Sequence, residues 1–241
     1  MHFPDQPLPP VAGGFILSQR LHHNDPLLAI GCFDPQHYRD ALAEAWGIRL
    51  PERLQRAVVK RRAEYLASRL LVRAVMAEFG IADFILTNAP DRSPRWPEGI
   101  QASLSHTTGT LVVAATRQNL AIGVDVERWM AENTAHETAG YLMNAREQQL
   151  LRTLPVSFNA AATLLFSLKE SLYKALWPQL HQPMEFTDAA LVTVDWSQQR
   201  ALLRLTRTFS TDFPAGTTLQ ATFLWQPHQV ITQVTHPVKP G

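Results

Sequence analysis

Residues Gly123-Val124-Asp125-Val126-Glu127 are the stretch of this sequence that most constrains both its fold and its chemistry. Side chains alternate along a β-strand, so Val124 and Val126 would face one side while Asp125 and Glu127 face the other. Two carboxylates on one strand face lie about 7 Å apart and repel each other unless a positive group stands between them. The stretch therefore indicates either a half-buried strand with a solvated acidic face or a strand that carries a magnesium site, because magnesium prefers oxygen ligands.

A strongly periodic helix is predicted about forty residues downstream, over residues 159–176. Glu170 and Lys174 are four residues apart, so they share a helix face away from the apolar stripe, and Lys169 lies at its boundary. A solvated Glu–Lys pair is one interpretation of this face. The other is a third carboxylate that completes the metal site, with lysines that contact phosphate oxygens.

The order of the predicted elements indicates an α+β protein built from two similar α/β halves. In chain order the elements are a hairpin from apolar runs at 15–17 and 27–33, a helix at 51–79 with a buried stripe that begins at Val58, a loop at 88–99, strands at 110–116 and 120–127, a polar helical stretch at 133–153, the helix at 159–176, and strands at 190–196, 201–208, 219–225 and 230–235. Each half would pack its strands on one dominant helix, so we expect halves at 1–119 and 120–241 that meet along one face.

The long helix of the first half is also the most basic part of the chain. Between Arg53 and Arg73 there are seven basic residues and a single acid, Glu64. Arg62 and Arg69 fall on one side of the helix beside its buried stripe, which favours a specific anion site over a diffuse charged patch. His106 ends a short predicted strand, where it could bind phosphate or simply cap a turn.

Bulk composition excludes several classes of protein. The chain has 241 residues, 46% hydrophobic and 18% charged, with a formal net charge of +1, which is typical of a soluble globular protein rather than a general nucleic-acid binder. No apolar run approaches the roughly 20 residues of a membrane span, and the N-terminal residues lack the pattern of a secretory signal. A single cysteine, Cys32, allows neither an internal disulfide nor a thiolate metal cage. We expect a cytoplasmic monomer.

Taken in order, five motifs resemble those of the Sfp-type 4'-phosphopantetheinyl transferases, most closely the enterobactin synthase component D branch. They are KRRAEYLASR at 60–69, RSPRWP at 92–97, SLSH at 103–106, GVDVE at 123–127 and FSLKESLYK at 166–174. The last two, separated by about forty residues, are the specific pair. The family fold is a pseudo-twofold pair of α/β halves with the active site at their junction, and the resemblance implies the same here.

The resemblance also implies the roles of the acidic and lysine residues. Asp125, Glu127 and Glu170 would hold the magnesium ion that bridges the pyrophosphate of coenzyme A. Lys169 and Lys174 would contact its phosphates. Glu170, or a magnesium-bound water that it orients, would act as the general base, and Lys174 could protonate the departing phosphate.

A second set of residues would bind the nucleotide end of coenzyme A. The resemblance implies that Arg62, Arg69 and His106 meet the nucleotide phosphates, that Ser105 contributes a further contact, and that the loop containing Arg92 flanks the adenine. None of the phosphate-binding side chains has an obvious partner in the sequence, which is consistent with a site for an external anion.

The implied reaction moves the 4'-phosphopantetheine group to a serine of an apo acyl, peptidyl or aryl carrier protein and releases adenosine 3',5'-bisphosphate. This transfer reaction would serve siderophore, nonribosomal peptide or polyketide synthesis. The apolar stretch 176–184, broken by two prolines, could either dock the carrier or fill the core. Two rivals stay open: a binding module whose basic helix docks an acidic protein or nucleic acid, and a magnesium phosphohydrolase.

Overall fold

The computed structural model describes residues 13–238, and the chain divides into two compact units, Met1–Arg117 and Gln118–Gly241. Each unit contains one main antiparallel sheet and one long helix that packs on it. The predicted α+β class is therefore confirmed. Between residues 13 and 238 no helix combines the length and the apolar character that crossing a membrane would require.

The first unit is a four-stranded sheet, ordered β1-β2-β6-β5, with helix α3 on it. Its elements are β1 (Ile16–His22), β2 (Leu27–Phe33), α1 (Asp40–Ala45), α2 (Glu52–Gln55), α3 (Val59–Glu78), β3 (Thr87–Asn88), β4 (Pro94–Arg95), β5 (Gln101–Thr107) and β6 (Thr110–Thr116). The predicted N-terminal hairpin is confirmed, because β1 and β2 pair in antiparallel register.

The basic helix of the first unit differs from the prediction at its start. The continuous helix expected from residue 51 is interrupted between Gln55 and Val59, where Val58 adopts an extended conformation at the N-cap of α3. Val58 was expected in the buried stripe, but it is 70% exposed because it precedes the first turn of α3. The predicted loop at 88–99 contains β4, which pairs with β3.

The second unit is a five-stranded antiparallel sheet, ordered β7-β11-β10-β9-β8, with helix α6 on one face. Its elements are β7 (Leu120–Arg128), α4 (Glu132–Leu142), α5 (Ala145–Leu151), α6 (Phe158–Leu180), β8 (Ala189–Asp195), β9 (Arg200–Leu205), β10 (Thr218–Trp225) and β11 (Gln229–Pro237). The four C-terminal strands were predicted with closely similar bounds. Strands β6 and β7, although consecutive, belong to different sheets.

Helix α6 is longer than its sequence predicts. Pro178 was expected to prevent the helix from continuing, but α6 runs through it to Leu180 and ends at His181, which has a left-handed φ of 46°. A proline inside a helix removes one backbone hydrogen bond, and the packing of the preceding turns compensates for that loss here. Leu176, two residues before the proline, is fully buried in the core of this unit.

The contact between α6 and β7 depends on Gly123. A Cβ atom at this position would lie 1.8 Å from the carbonyl oxygen of Ser171 and 2.5 Å from the backbone nitrogen of Ala175. Both neighbours are backbone atoms of α6, so neither can move without shifting the helix. Glycine therefore allows α6 to pack directly against the strand that carries Asp125 and Glu127.

We predict that Gly123→Ala lowers the free energy of unfolding by about 3 kcal/mol or more, since the added methyl group forces the helix backbone away from the sheet. Urea-induced unfolding monitored by circular dichroism measures this change. Gly140→Ala in α4 is the matched control, because a Cβ there meets no atom within 4 Å. It should leave stability unchanged or raise it by about 0.5–1 kcal/mol. Equal stabilities for the two variants would contradict the close contact.

Candidate active site

Asp125 lies at the centre of the acidic group in the second unit. It is 2% exposed on β7. Its Oδ1 atom accepts a hydrogen bond from Lys174 Nζ at 2.7 Å, and its Oδ2 atom accepts one from Ser167 Oγ at 2.8 Å. Both donors come from α6, so the close packing at Gly123 brings together the two motifs that the sequence singled out. A buried, doubly hydrogen-bonded carboxylate beside an ammonium group has a fixed orientation.

Glu127 and Glu170 are half-buried and are electrostatically coupled to Asp125. Burial and the nearby Asp125 charge raise the pKa of Glu127 to about 7, while Lys174 opposes the shift. Burial also raises the pKa of Glu170, again against the effect of Lys174 and with a smaller contribution from Asp125. The three carboxylates thus repel one another electrostatically, and the positive charge of Lys174 offsets this repulsion at both glutamates.

The donor atoms of this cluster suit a hard divalent cation. Across residues 13–238, no three side chains of the His, Cys, Asp or Glu type converge into a ready-made metal cage. Magnesium does not need such a cage, because it commonly takes one or two carboxylates together with water and substrate phosphate oxygens. Asp125, Glu127 and Glu170 offer carboxylate oxygens only, so one or two of them fit this mode of binding, and the assignment of all three to one ion stays a prediction.

Lys169 does not have the environment expected of a phosphate ligand. Its side chain is 3% exposed, and its ammonium group lies 2.9 Å from Glu147 Oε1. It also donates hydrogen bonds of 2.8 Å to the carbonyl oxygens of Leu142 and Phe186. These three contacts use all three hydrogen atoms of the ammonium group. The charge of Lys169 is therefore paired inside the second unit, an environment that does not favour the predicted contact with coenzyme A, which stays a prediction.

Glu147 makes this buried pair a junction between several elements. Its Oε2 atom accepts from the backbone nitrogen of Asn144 and completes the capping box of α5. Its Oε1 atom also accepts from the backbone nitrogen of Leu191, at the start of β8. Burial lowers the pKa of Lys169, but the hydrogen bond and charge of Glu147 oppose that shift. The pair anchors α6 to α5 and β8.

Arg62 in the first unit is bound to an acidic side chain that the sequence did not reveal. Its Nη1 atom donates to both carboxylate oxygens of Asp40, at 2.7 and 2.6 Å, and its guanidinium lies 5.7 Å from the centre of the Tyr38 ring. Asp40 is 60% exposed on its side chain, whereas Arg62 is only 19% exposed. The guanidinium is therefore held while its acidic partner remains accessible to water.

Arg69 is buried and connected to the turn that contains Arg92. Its guanidinium lies 3.9 Å from the centre of the Tyr65 ring and donates to Ser68 Oγ and to Asn88 Oδ1, each at 2.9 Å. The side chain of Asn88 in turn donates to the carbonyl oxygen of Arg92, which has a left-handed φ of 72°. The structure thus joins two of the predicted nucleotide-binding residues in one network.

His106 and Ser105 lie on opposite faces of β5, because neighbouring residues of a strand alternate. The Nδ1 atom of His106 is 4.0 Å from Glu64 Oε2, whereas Ser105 is buried. Glu64 and Arg69 are five residues apart on α3 and so point in different directions. The sequence shows no obvious partner for Arg62, Arg69 or His106, but in the structure each contacts a side chain of the first unit.

Comparisons with known proteins agree with the motifs. A model of the 4'-phosphopantetheinyl transferase N-terminal domain matches residues 50–116, and a model of the 4'-phosphopantetheinyl transferase superfamily matches residues 121–225. Enterobactin synthase component D of Escherichia coli O157:H7 is 31% identical over 150 residues, which cover 62% of this chain and 69% of that protein. The chain belongs to the 4'-phosphopantetheinyl transferase superfamily.

Two other members of the superfamily show how far the similarity extends. Enterobactin synthase component D of Salmonella typhi is 36% identical over 132 residues, which cover 55% of each protein, so the chain matches about half the length of this relative. The 4'-phosphopantetheinyl transferase PptT of Mycobacterium tuberculosis is 26% identical over 164 residues, covering 65% of this chain and 71% of that protein.

Sequence reasoning missed the buried groups that hold this superfamily member's acidic motif in place. Ser167, Ser171 and Thr232 are fully buried polar residues around Asp125. The spacing of Ser167 and Ser171, four residues apart within an otherwise apolar helix, was an available signal. Thr232 gave a weaker one, because threonine is common in strands.

We predict that Lys169→Met lowers the free energy of unfolding by about 3–5 kcal/mol, because it leaves the Glu147 charge buried without its partner. In a double-mutant cycle, Lys169→Met combined with Glu147→Gln should cost less than the sum of the two single changes. Urea unfolding gives all four values. Lys60→Met is the control. The side chain of Lys60 is 59% exposed, and its ammonium group lies as far as 4.0 Å from Glu64 Oε1. Removing this exposed, weak ion pair should change the free energy of unfolding by less than about 0.5 kcal/mol. A Lys169→Met protein of full stability with a raised KM for coenzyme A would restore the phosphate role.

Proposed function

We propose that this protein is a magnesium-dependent 4'-phosphopantetheinyl transferase that moves the phosphopantetheine arm of coenzyme A to a serine of a carrier protein. The observation that carries the proposal is the pairing of Asp125 with Lys174 inside a cluster of coupled carboxylates. A phosphoryl-type transfer needs this combination of charges, because catalysis rests on positioning and on neutralising phosphate oxygens.

Asp125, Glu127 and Glu170 would hold the magnesium ion, which supplies charge neutralisation to the pyrophosphate when it is bound. Glu170 is the proposed base. A carboxylate within hydrogen-bond reach of the serine hydroxyl can take its proton directly or through a magnesium-bound water that it orients. Glu170 takes the serine hydroxyl proton as the serine oxygen forms its bond to the β-phosphorus and the bond to the leaving phosphate oxygen breaks.

Lys174 is the proposed phosphate contact of the second unit. Its side chain is 28% exposed, so it can reach a ligand while Asp125 holds its ammonium group at 2.7 Å. It neutralises the leaving phosphate of adenosine 3',5'-bisphosphate and can donate a proton to it. The sharp contrast with the buried Lys169, five residues earlier, supports the assignment of this role to Lys174 alone.

The nucleotide end of coenzyme A is proposed to contact Arg62, Arg69, His106, Ser105 and Arg92. Buried donors support this proposal for the two helical arginines, since the Nε atoms of Arg62 and Arg69 have no hydrogen-bond partner. An incoming phosphate can replace the exposed Asp40 carboxylate as the partner of Arg62, because both present oxygen atoms to the same guanidinium. Ser105 has the weakest support, since it faces away from His106.

The partner is proposed to be an apo acyl, peptidyl or aryl carrier protein, and siderophore synthesis is the pathway type that the names of the enterobactin synthase relatives suggest. Within the candidate docking stretch 176–184, Leu180 and Met184 pack against the core of the second unit. Trp177 is half-buried and contacts the rings of Tyr173 and His181. Trp177 is therefore the better candidate for contact with a carrier. We expect a cytoplasmic monomer.

Intact mass spectrometry of apo-carrier proteins incubated with coenzyme A and magnesium tests the proposal. We expect a gain of roughly 340 Da, the mass of one phosphopantetheine group on a serine. Asp125→Asn keeps the size of the side chain and should lower the transfer rate by roughly 100-fold or more, because a neutral amide is a poor metal ligand. Asp195→Asn, at an exposed position on β8, is the control and should transfer at the normal rate. Release of phosphate without any change in carrier mass would indicate a phosphohydrolase instead.

A second prediction concerns the 3'-phosphate of coenzyme A. We expect His106→Ala to raise the Kd for coenzyme A by roughly 10-fold or more, since a hydrogen bond to a charged phosphate contributes about 1.5–3 kcal/mol. It should change the Kd for 3'-dephospho-coenzyme A far less. Isothermal titration calorimetry measures both constants. Equal losses for the two ligands would show that His106 serves only to contact Glu64 and the first unit.

A further inference from the structure

Three buried hydroxyl groups form a connected chain that ends on Asp125. Ser167, Ser171 and Thr232 are all 0% exposed. Thr232 Oγ1 lies 2.7 Å from Ser171 Oγ and 2.8 Å from Ser167 Oγ, and Ser167 Oγ lies 2.8 Å from Asp125 Oδ2. The chain therefore runs from Ser171 through Thr232 and Ser167 to the carboxylate.

Hydrogen counting gives this chain a direction. An ionised carboxylate only accepts hydrogen bonds, so Ser167 must use its single hydroxyl hydrogen on Asp125. The contact between Ser167 and Thr232 can then be donated only by Thr232, whose single hydroxyl hydrogen is shared between Ser167 Oγ and the Ser167 carbonyl oxygen, each at 2.8 Å. Ser171 can in turn donate its hydrogen to Thr232 Oγ1 at 2.7 Å or to the Thr232 carbonyl oxygen at 3.0 Å. When each hydroxyl group donates along the chain, all three dipoles point towards the negative charge, which is the stabilising arrangement.

Thr232 is the member of the chain that packing alone does not explain. It lies on β11 directly opposite Asp125 in the antiparallel register. Val230 and Val234 precede and follow it on the same face of the strand, and both are 0% exposed. A third valine would fill the same space without placing a hydroxyl group in the core, where an unpaired one is costly. The hydroxyl group of Thr232 therefore serves to make hydrogen bonds rather than to fill space.

We propose that Thr232 is a positioning residue that, through Ser167, fixes the orientation of the Asp125 carboxylate for metal binding. The inference rests on the proposed function, because it takes Asp125 as a magnesium ligand. Ser167 holds Oδ2, while Oδ1 contacts Lys174, whose charge also acts on Glu127. Groups that orient a ligating carboxylate typically change metal affinity by about 10–100-fold.

The test compares Thr232→Val, which keeps the shape of the side chain and removes the hydroxyl group, with Thr232→Ser, which keeps the hydroxyl group. Thr116→Val is the matched control. Thr116 is 0% exposed and also donates to a carboxylate, that of Asp25, within the first unit. The Kd for Mn²⁺ and for Mg²⁺ is measured by isothermal titration calorimetry on the full chain without coenzyme A, and stability is measured by urea unfolding in chelator.

We expect Thr232→Val to raise both metal dissociation constants by about 10-fold or more, Thr232→Ser to restore them, and Thr116→Val to leave them unchanged even though it too loses a buried hydrogen bond. Unchanged metal affinity in Thr232→Val would overturn the proposal, as would wild-type protein that binds neither metal. The proposed function can fail separately. If the wild-type protein binds the metals and Thr232→Val lowers its affinity for them, yet no carrier protein gains mass, Thr232 keeps its positioning role and the transferase assignment is wrong.

Discussion

The second unit depends on the absence of a side chain at one position. At Gly123 the backbone of α6 comes so close to β7 that no β-carbon can be accommodated. That close packing determines where the side chains of the next helical turns end up. It places Ser167 and Lys174 on either side of the Asp125 carboxylate, and it brings Ser171 within hydrogen-bond distance of Thr232. The acidic strand and the lysine-bearing helix therefore act as one structural unit.

The sequence was most informative where periodicity and local geometry decide the structure. Alternating apolar residues located the four C-terminal strands, and the stripe of leucines located α6, because burial on one face requires those patterns. The same reasoning could not assign β6 and β7 to different sheets, since pairing between strands is a tertiary property. It also misjudged Pro178, where packing outweighs the local cost of a missing hydrogen bond.

For the candidate site, the sequence identified which carboxylates would gather but not which charges would be neutralised within the protein. Lys169 and Lys174 are the same residue type on the same helix, yet one is enclosed by Glu147 and two carbonyl oxygens while the other remains partly accessible. Glu147 lies more than twenty residues from Lys169 in sequence, and Asp40 is similarly distant from Arg62, so no local pattern could reveal either pair. Buried charges require partners, but this rule does not predict which residues those partners are.

The two ion pairs will also respond differently to dissolved salt. The Lys169–Glu147 pair is dry, with both side chains no more than 3% exposed, so mobile ions cannot enter between the charges. The Arg62–Asp40 pair has an accessible carboxylate, and at physiological ionic strength charges in water are screened over about 8 Å. Rising ionic strength should therefore weaken the Arg62–Asp40 ion pair at salt concentrations that leave the buried Lys169–Glu147 pair unaffected. The salt concentration of the medium would then set how readily the Arg62 guanidinium exchanges one anion for another.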